Sequence, residues 1–307
     1  MVARLVADPS DLEVTRYAVE RMGVDVPEVV LPEHGRRLIR GLRLHYLDWG
    51  TAAQRPILFL HGGGLNAHTF DLVCLALRRD HHCVALDQRG HGDSDWASDY
   101  STPQHAADVA AFVDYLKWER PVVVGMSMGG TNALAFGGAH AGRLGALVLI
   151  DIGPEVRPGG GQRIRAFMKR RSEFESVEAC VADILNFTPN RDPVLLRRSI
   201  MHNLRRTPRG KWTWKWDPRT LDAAASPKVR AARRELLWAA VDRLRCPTLV
   251  VRGADSEMFG PDEADMLLRR LHDGEVAVVE GAGHNVQGDN PAALVRVLRS
   301  FLSARAL

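Results

Sequence analysis

Ser127 lies at the centre of Gly125-Met126-Ser127-Met128-Gly129, between three valines at 122–124 and the helix-forming stretch TNALAFGGAH. A G-x-S-x-G run between a strand and a helix is a turn so tight that its serine takes strained backbone angles. Side chains two positions away would collide with it, hence glycine at both. The strain projects the hydroxyl outward, and the following helix points its free N–H groups at the same spot. Ser127 is therefore a candidate nucleophile. A hydroxyl is weak in that role at neutral pH, so it needs a base, and the base needs an acid to orient it.

Of the 12 histidines, His284 is the preferred base, because it follows a strand-like run and a Gly-Ala-Gly turn, 23 residues from the end of the sequence. His61 is read as supporting the HGGG loop and His91 as packing structurally. Asp151 is the preferred acid: it ends the apolar run ALVLID, 24 residues beyond Ser127. A carboxylate at the end of a buried strand needs a partner, since an unpaired buried charge is costly. A histidine N–H would serve. Asp255 and Glu257, in VRGADSE, stay open as alternatives.

The elements that must hold these groups are short apolar runs alternating with helical ones. RRLIRGLRLHYLDWG (36–50) reads as a hairpin around Gly41. PILFLHGGG, HCVALD, PVVVGM, ALVLID, CPTLVVRG and EVAVVE read as buried strands. Helices are expected near 67–78, from Thr102 to about Lys117, after Ser127, and in DEADMLLRRLH and PAALVRVLRSFL. This alternation implies an α/β fold with a mostly parallel central sheet flanked by helices. Residues 1–30 read as an N-terminal helical extension, with Ser10 and Glu13 at capping-box spacing. Residues 31–153 and 243–307 form the core. Residues 154–242, without a buried-strand run, read as a helical cap inserted after the sixth strand, over the carboxyl edge where such sheets bind ligands.

These landmarks together resemble the α/β-hydrolase superfamily over roughly residues 36–304. HGGG (61–64) resembles its oxyanion loop, DQRGHGDS (87–94) its next strand-loop, GMSMGG its nucleophile turn, and GAGH (281–284) its histidine segment. The resemblance implies a serine esterase or amidase-type hydrolase with a Ser127–His284–Asp151 catalytic triad. Asp255 follows the penultimate strand, the commoner family location, but the usual G-x-x-D spacing places Ser256 there instead. Some members carry the acid on the strand of Asp151. Backbone N–H groups of Met128 and Gly63, with Gly64 as the alternative, would form the oxyanion hole. The implied reaction is cleavage of a small carboxylic ester, lactone or amide through an acyl-enzyme, with no cofactor and no metal. A carbon–carbon bond hydrolase of a ring-cleavage diketone is the alternative. A cofactor-free haloperoxidase and a non-catalytic small-molecule receptor rank lower. Serine at position 127 argues against the haloalkane dehalogenases and soluble epoxide hydrolases, which use aspartate there.

Composition narrows the partners. Residues 154–245 carry 21 Lys+Arg against 10 Asp+Glu, a net of +11, which leaves −7 for the rest of a chain whose total is +4. A basic insertion over a site could draw in an anionic substrate. Its charges are not interleaved as a nucleic-acid motif, so no nucleic acid is expected. In KWTWKWDP (211–218), tryptophans alternate; Trp214 and Trp212 are candidates for substrate binding, or for pinning the cap. No run approaches the ~18 apolar residues of a membrane span, and MVARLVADPSDLEVTR lacks the apolar core of a signal peptide. The expectation is a soluble cytoplasmic protein with a small-molecule substrate and a homodimer as one option. The four cysteines are scattered without a C-x-x-C pair, and are expected as free thiols.

Overall fold

A computed structural model describes residues 10–50, 54–189, 191–221 and 226–307, the side chains of residues 163, 164, 167 and 187 excepted. Helix α1 (Asp11–Arg21) precedes a hairpin of β1 (Glu33–Ile39) and β2 (Leu42–Asp48). Then β3 (Arg55–Leu60), α2 (Asp71–Leu77), β4 (His81–Leu86), α3 (Thr102–Tyr115), β5 (Val122–Met126), α4 (Met128–Ala139) and β6 (Ala146–Ile150) alternate. The long insertion contains α5 (Gln162–Arg170), β7 (Glu173–Phe174), α6 (Val177–Phe187), α7 (Pro193–Asn203), β8 (Leu204–Arg206), β9 (Trp212–Trp214) and α8 (Pro227–Arg243). The chain closes with β10 (Thr248–Gly253), α9 (Pro261–Leu268), β11 (Gly274–Val279), α10 (Val286–Asp289) and α11 (Pro291–Ala304).

Eight strands form one sheet in the order β1-β2-β4-β3-β5-β6-β10-β11. β2 runs antiparallel to both neighbours, and every pair from β4 to β11 is parallel. The β1–β2 turn is made by Arg40 and Gly41, both at positive φ, which matches the twist of a hairpin. Successive residues of β3 face opposite sides: Ile57 and Phe59 join one core with Val73 and Leu298, Leu58 and Leu60 the other with Phe112 and Leu134. Both faces are therefore apolar, as a parallel sheet between helices requires.

The insertion departs from the helical expectation in two ways. It holds a small antiparallel sheet, β7-β9-β8, whose strands have two or three residues each, too short to show as buried runs. Its last helix, α8, packs with the body: Leu237, Ala240 and Val241 are buried in the core that holds Phe136. Gly138 makes the close approach possible, since a Cβ there would sit 2.3 Å from that of Ala240. Position 242 is thus not a packing boundary. All four cysteines are free. No helix among the described residues is long and apolar enough to cross a membrane.

The N-terminal helix braces the insertion. Ser10 and Glu13 complete the capping box of α1. On its other flank, Arg198 of α7 bridges Asp11 of α1 (2.8 Å) and the buried Asp71 of α2 (2.6 Å). Burial pushes both carboxyls up, but His68 and Arg198 outweigh it at Asp71, and His202 and Arg198 outweigh it at Asp11, so both sit below the ordinary value. Breaking a buried pair costs roughly 3 kcal/mol or more, so Arg198→Met should lower Tm by several degrees at neutral pH. Carboxyls depressed in the folded state contribute stability above about pH 4 and lose it as pH falls through their folded pKa values. The Tm gap between the variant and the unaltered protein should therefore narrow in acid; thermal unfolding across that range checks it, and equal Tm at neutral pH contradicts it.

Candidate active site

Ser127 joins β5 to α4 with φ 51° and ψ −115°. The flanking glycines are required by contact. A Cβ on Gly125 would lie 2.5 Å from the Gly129 carbonyl, and one on Gly129 would lie 2.0 Å from the Leu60 oxygen of β3. The serine's own backbone is tied at both ends, its N–H to Ile150 O (3.1 Å) and its carbonyl to the Thr131 N–H (2.9 Å).

His284 lies between β11 and α10. Its Nδ1 is 2.7 Å from Asp151 Oδ2, and its Nε2 is 3.0 Å from Ser127 Oγ. A carboxylate only accepts, so the proton sits on Nδ1, and Nε2 is left to accept from the Ser127 hydroxyl. An imidazole in that tautomer can take the proton of the hydroxyl facing it.

Asp151 is fully buried and at positive φ, one residue past β6. Besides His284 it accepts the Gly253 N–H at Oδ1 (3.0 Å) and the Ser256 hydroxyl at Oδ2. Ser256 Oγ in turn accepts the N–H groups of Met258 (3.1 Å) and Phe259 (3.3 Å), which leaves its own proton aimed at Asp151. Asp255 and Glu257 are exposed, and neither side chain enters this chain of bonds. Residue type alone does not single out Ser256. Its signal was its position, three residues past Gly253, where the commoner pattern has the acid.

The HGGG loop passes beside the start of α4. The Cβ position of Gly62 is 2.5 Å from Met126 Sδ, and that of Gly63 is 3.9 Å from Met128 Sδ. Gly64 has φ 74° and faces Met168. Met128 opens α4, so its N–H has no intrahelical acceptor. His61 is buried and donates from Nδ1 to Gly62 O (2.8 Å), while its Nε2 accepts the Gln88 N–H (3.0 Å). Burial keeps this ring below the usual histidine pKa. Burial, and then His61, push His91 down to about 3, so it packs as a neutral ring. Asp87 ties the neighbouring loops together, accepting from Ala67 N–H (2.7 Å), Asp93 N–H (2.9 Å) and His45 (2.7 Å).

A cavity of about 760 Å³ opens over Ser127, His284 and the glycine loop. Trp214, Trp216, Met168, Leu196 and Leu236 bring the insertion into its wall. Trp212 does not line it; that ring lies under the Arg206 guanidinium, 5.0 Å away, and packs on the insertion's own small core. The insertion is fastened to the 87–100 loop by Lys215–Asp93 (2.9 Å), Trp96 Nε1–H to Lys215 O (2.9 Å), and Tyr100 to Asp217. A second cleft, about 950 Å³, runs from α1 past α7 and meets the first at His284. Among the described residues, His68, Asp71 and His202 cluster closely enough to suggest metal ligands. Arg198 already occupies Asp71, and the two rings stack with centroids 3.6 Å apart and planes 16° from parallel, so their lone pairs lie in near-parallel planes.

Against known proteins, residues 57–297 match the model of the alpha/beta hydrolase family. The chain is 35% identical to "Esterase Rv0045c" of Mycobacterium tuberculosis over 296 residues, 93% of each chain. The crystal structure of that esterase superposes with a TM-score of 0.76 at 30% identity, covering 97% of this chain and 99% of the other. A "3-hydroxybutyrate-oligomer hydrolase" of Cupriavidus necator is 28% identical, over 85% of this chain and 94% of its own. The chain belongs to the alpha/beta hydrolase family and is a hydrolase enzyme.

Proposed function

We propose that the protein is a serine esterase, cleaving a small carboxylic ester, lactone or amide through an acyl-enzyme. One observation carries this reading: Ser127, His284 and the buried Asp151 form a continuous hydrogen-bonded chain that ends in a cavity. Ser127 Oγ attacks the carbonyl carbon while His284 Nε2 takes its proton, and Asp151 holds the ring in tautomer and stabilises the imidazolium. The oxyanion is met by the N–H groups of Gly63 and Met128, with Gly64 next in line. Loss of one such donor typically costs about 3 kcal/mol of transition-state stabilisation. His284 then protonates the leaving group, for which the second cleft offers a way out. Water repeats the sequence on the acyl-enzyme. The insertion acts as a cap, with Trp214 in its wall; relatives that are esterases support the ester as first substrate class.

Hydrolysis of p-nitrophenyl acetate tests the assignment. Ser127→Ala should abolish it. Asp151→Asn should lose at least ~10³ in kcat, because a mis-set imidazole tautomer costs that much or more. Asp255→Asn should stay close to the unaltered enzyme, and equal, mild effects at 151 and 255 would overturn the acid assignment.

Ser256 is assigned as a positioning residue for Asp151. A hydrogen bond to a charged group contributes roughly 1.5–3 kcal/mol, so Ser256→Ala should lower kcat about tenfold or more with KM little changed. Ser256→Thr, which keeps the hydroxyl, should recover most of it. Undiminished kcat in Ser256→Ala would mean that the site needs only a small side chain there.

A further inference from the structure

The 760 Å³ cavity is lined by a mixture of apolar and polar side chains. Among the described residues, three cationic side chains line it, Arg165, Arg191 and Arg233, against a single carboxylate, Asp289. Asp289 is already committed: Arg191 lies 3.2 Å from it, and it accepts the Gly283 N–H (3.0 Å). Among the described residues, Arg165 and Arg233 meet no carboxylate. They stand on two different helices. Arg233 shares one face of α8 with Val229, Ala232 and Leu236, all of which line the cavity, as 3.6-residue periodicity dictates. Arg165 shares a face of α5 with Met168, one turn along, which also lines it. Burial, and then repulsion from Arg165 and Arg230, hold the Arg233 guanidinium below the usual arginine pKa. It stays charged at neutral pH all the same. Arg165 is exposed and Arg233 half-buried, and two like charges turned to one cavity set up a positive potential there that favours an anion.

We infer that Arg165 and Arg233 form a carboxylate subsite in the acyl part of the cavity, so that the substrate is a monoester or monoamide of a dicarboxylic acid. This rests on the Ser127 esterase reading. The planar guanidinium fork matches a carboxylate's two oxygens, and its hydrogen bonds are charge-assisted. The acyl chain spans from Ser127 along the apolar wall of Trp214, Met168 and Leu236, and its free carboxylate reaches the arginines. The alcohol leaves on the His284 side, away from them.

The experiment compares mono-p-nitrophenyl adipate with p-nitrophenyl hexanoate, acyl chains of equal length with and without the terminal charge. In the unaltered enzyme at low salt, kcat/KM should favour the charged ester by at least about tenfold, the equivalent of one charge-assisted contact. That ratio should fall about tenfold in Arg233→Gln, further with Arg165→Gln added, mostly through KM, and stay intermediate in Arg233→Lys. Since both esters are read on the same protein, partial misfolding cancels from the ratio. A preference for the neutral ester, or a ratio unmoved in the double variant, would overturn the subsite. If neither ester is cleaved, the esterase reading fails. Calorimetric titration of adipate into Ser127→Ala then judges the subsite alone: saturable binding lost with Arg233→Gln supports it, and no binding refutes it.

Discussion

Ser127 holds a backbone conformation that an L-residue enters at a cost of about 1–3 kcal/mol, and the surrounding structure exists in the form that makes it do so. β5 is in the middle of the eight-stranded sheet, and α4 starts at the very next residue. The glycine two residues on presses α4 against the last carbonyl of β3, from which the HGGG loop departs. One close approach thus produces both the outward hydroxyl and the adjacency of the loop proposed to face the oxyanion. A methyl group at position 129 would separate them.

The second requirement is a buried negative charge. Asp151 is satisfied by His284, Gly253 and Ser256, so it needs no solvent. Its placement follows from sheet order. β6 and β10 are parallel neighbours, Ile150 is in register with Val251, and the Asp151 N–H bonds to Val251 O (2.7 Å). The two strand ends therefore open at the same level beside His284. An acid can reach that imidazole from either strand, and on the proposed reading β6 supplies the acid while β10 contributes Ser256 to steady it.

Much of this was legible in residue types and spacing. The strands, the Gly41 turn and the serine turn follow from short apolar runs and glycine, and the cost of an unpaired buried charge favours the carboxylate ending ALVLID as the partner of His284, with Asp255 and Glu257 left open. Some of it was not. β7, β8 and β9 are too short to carry a periodic signal, and α8 reads as part of the insertion until its contact with Gly138 is seen. Trp212 and Trp214 share a strand and a face by alternation, but of the two only Trp214 lines the cavity, while Trp212 packs on the insertion's small core beneath Arg206. Ser256 is an ordinary small polar residue until its hydroxyl is found between two N–H groups and a carboxylate. A count of +11 over the insertion says nothing about which arginines enter the cavity; only the packing of α5 and α8 singles out Arg165 and Arg233.

On the proposed reading one serine, forced outward at the β5–α4 junction, forms the covalent intermediate. The direct measurement is mass spectrometry after reaction with an alkyl fluorophosphonate, which loses fluoride to an activated serine. One adduct per chain is expected, carried by the peptide that contains Ser127, with ester hydrolysis lost in step. Labelling of a different serine, or undiminished hydrolysis with no adduct at Ser127, would contradict it.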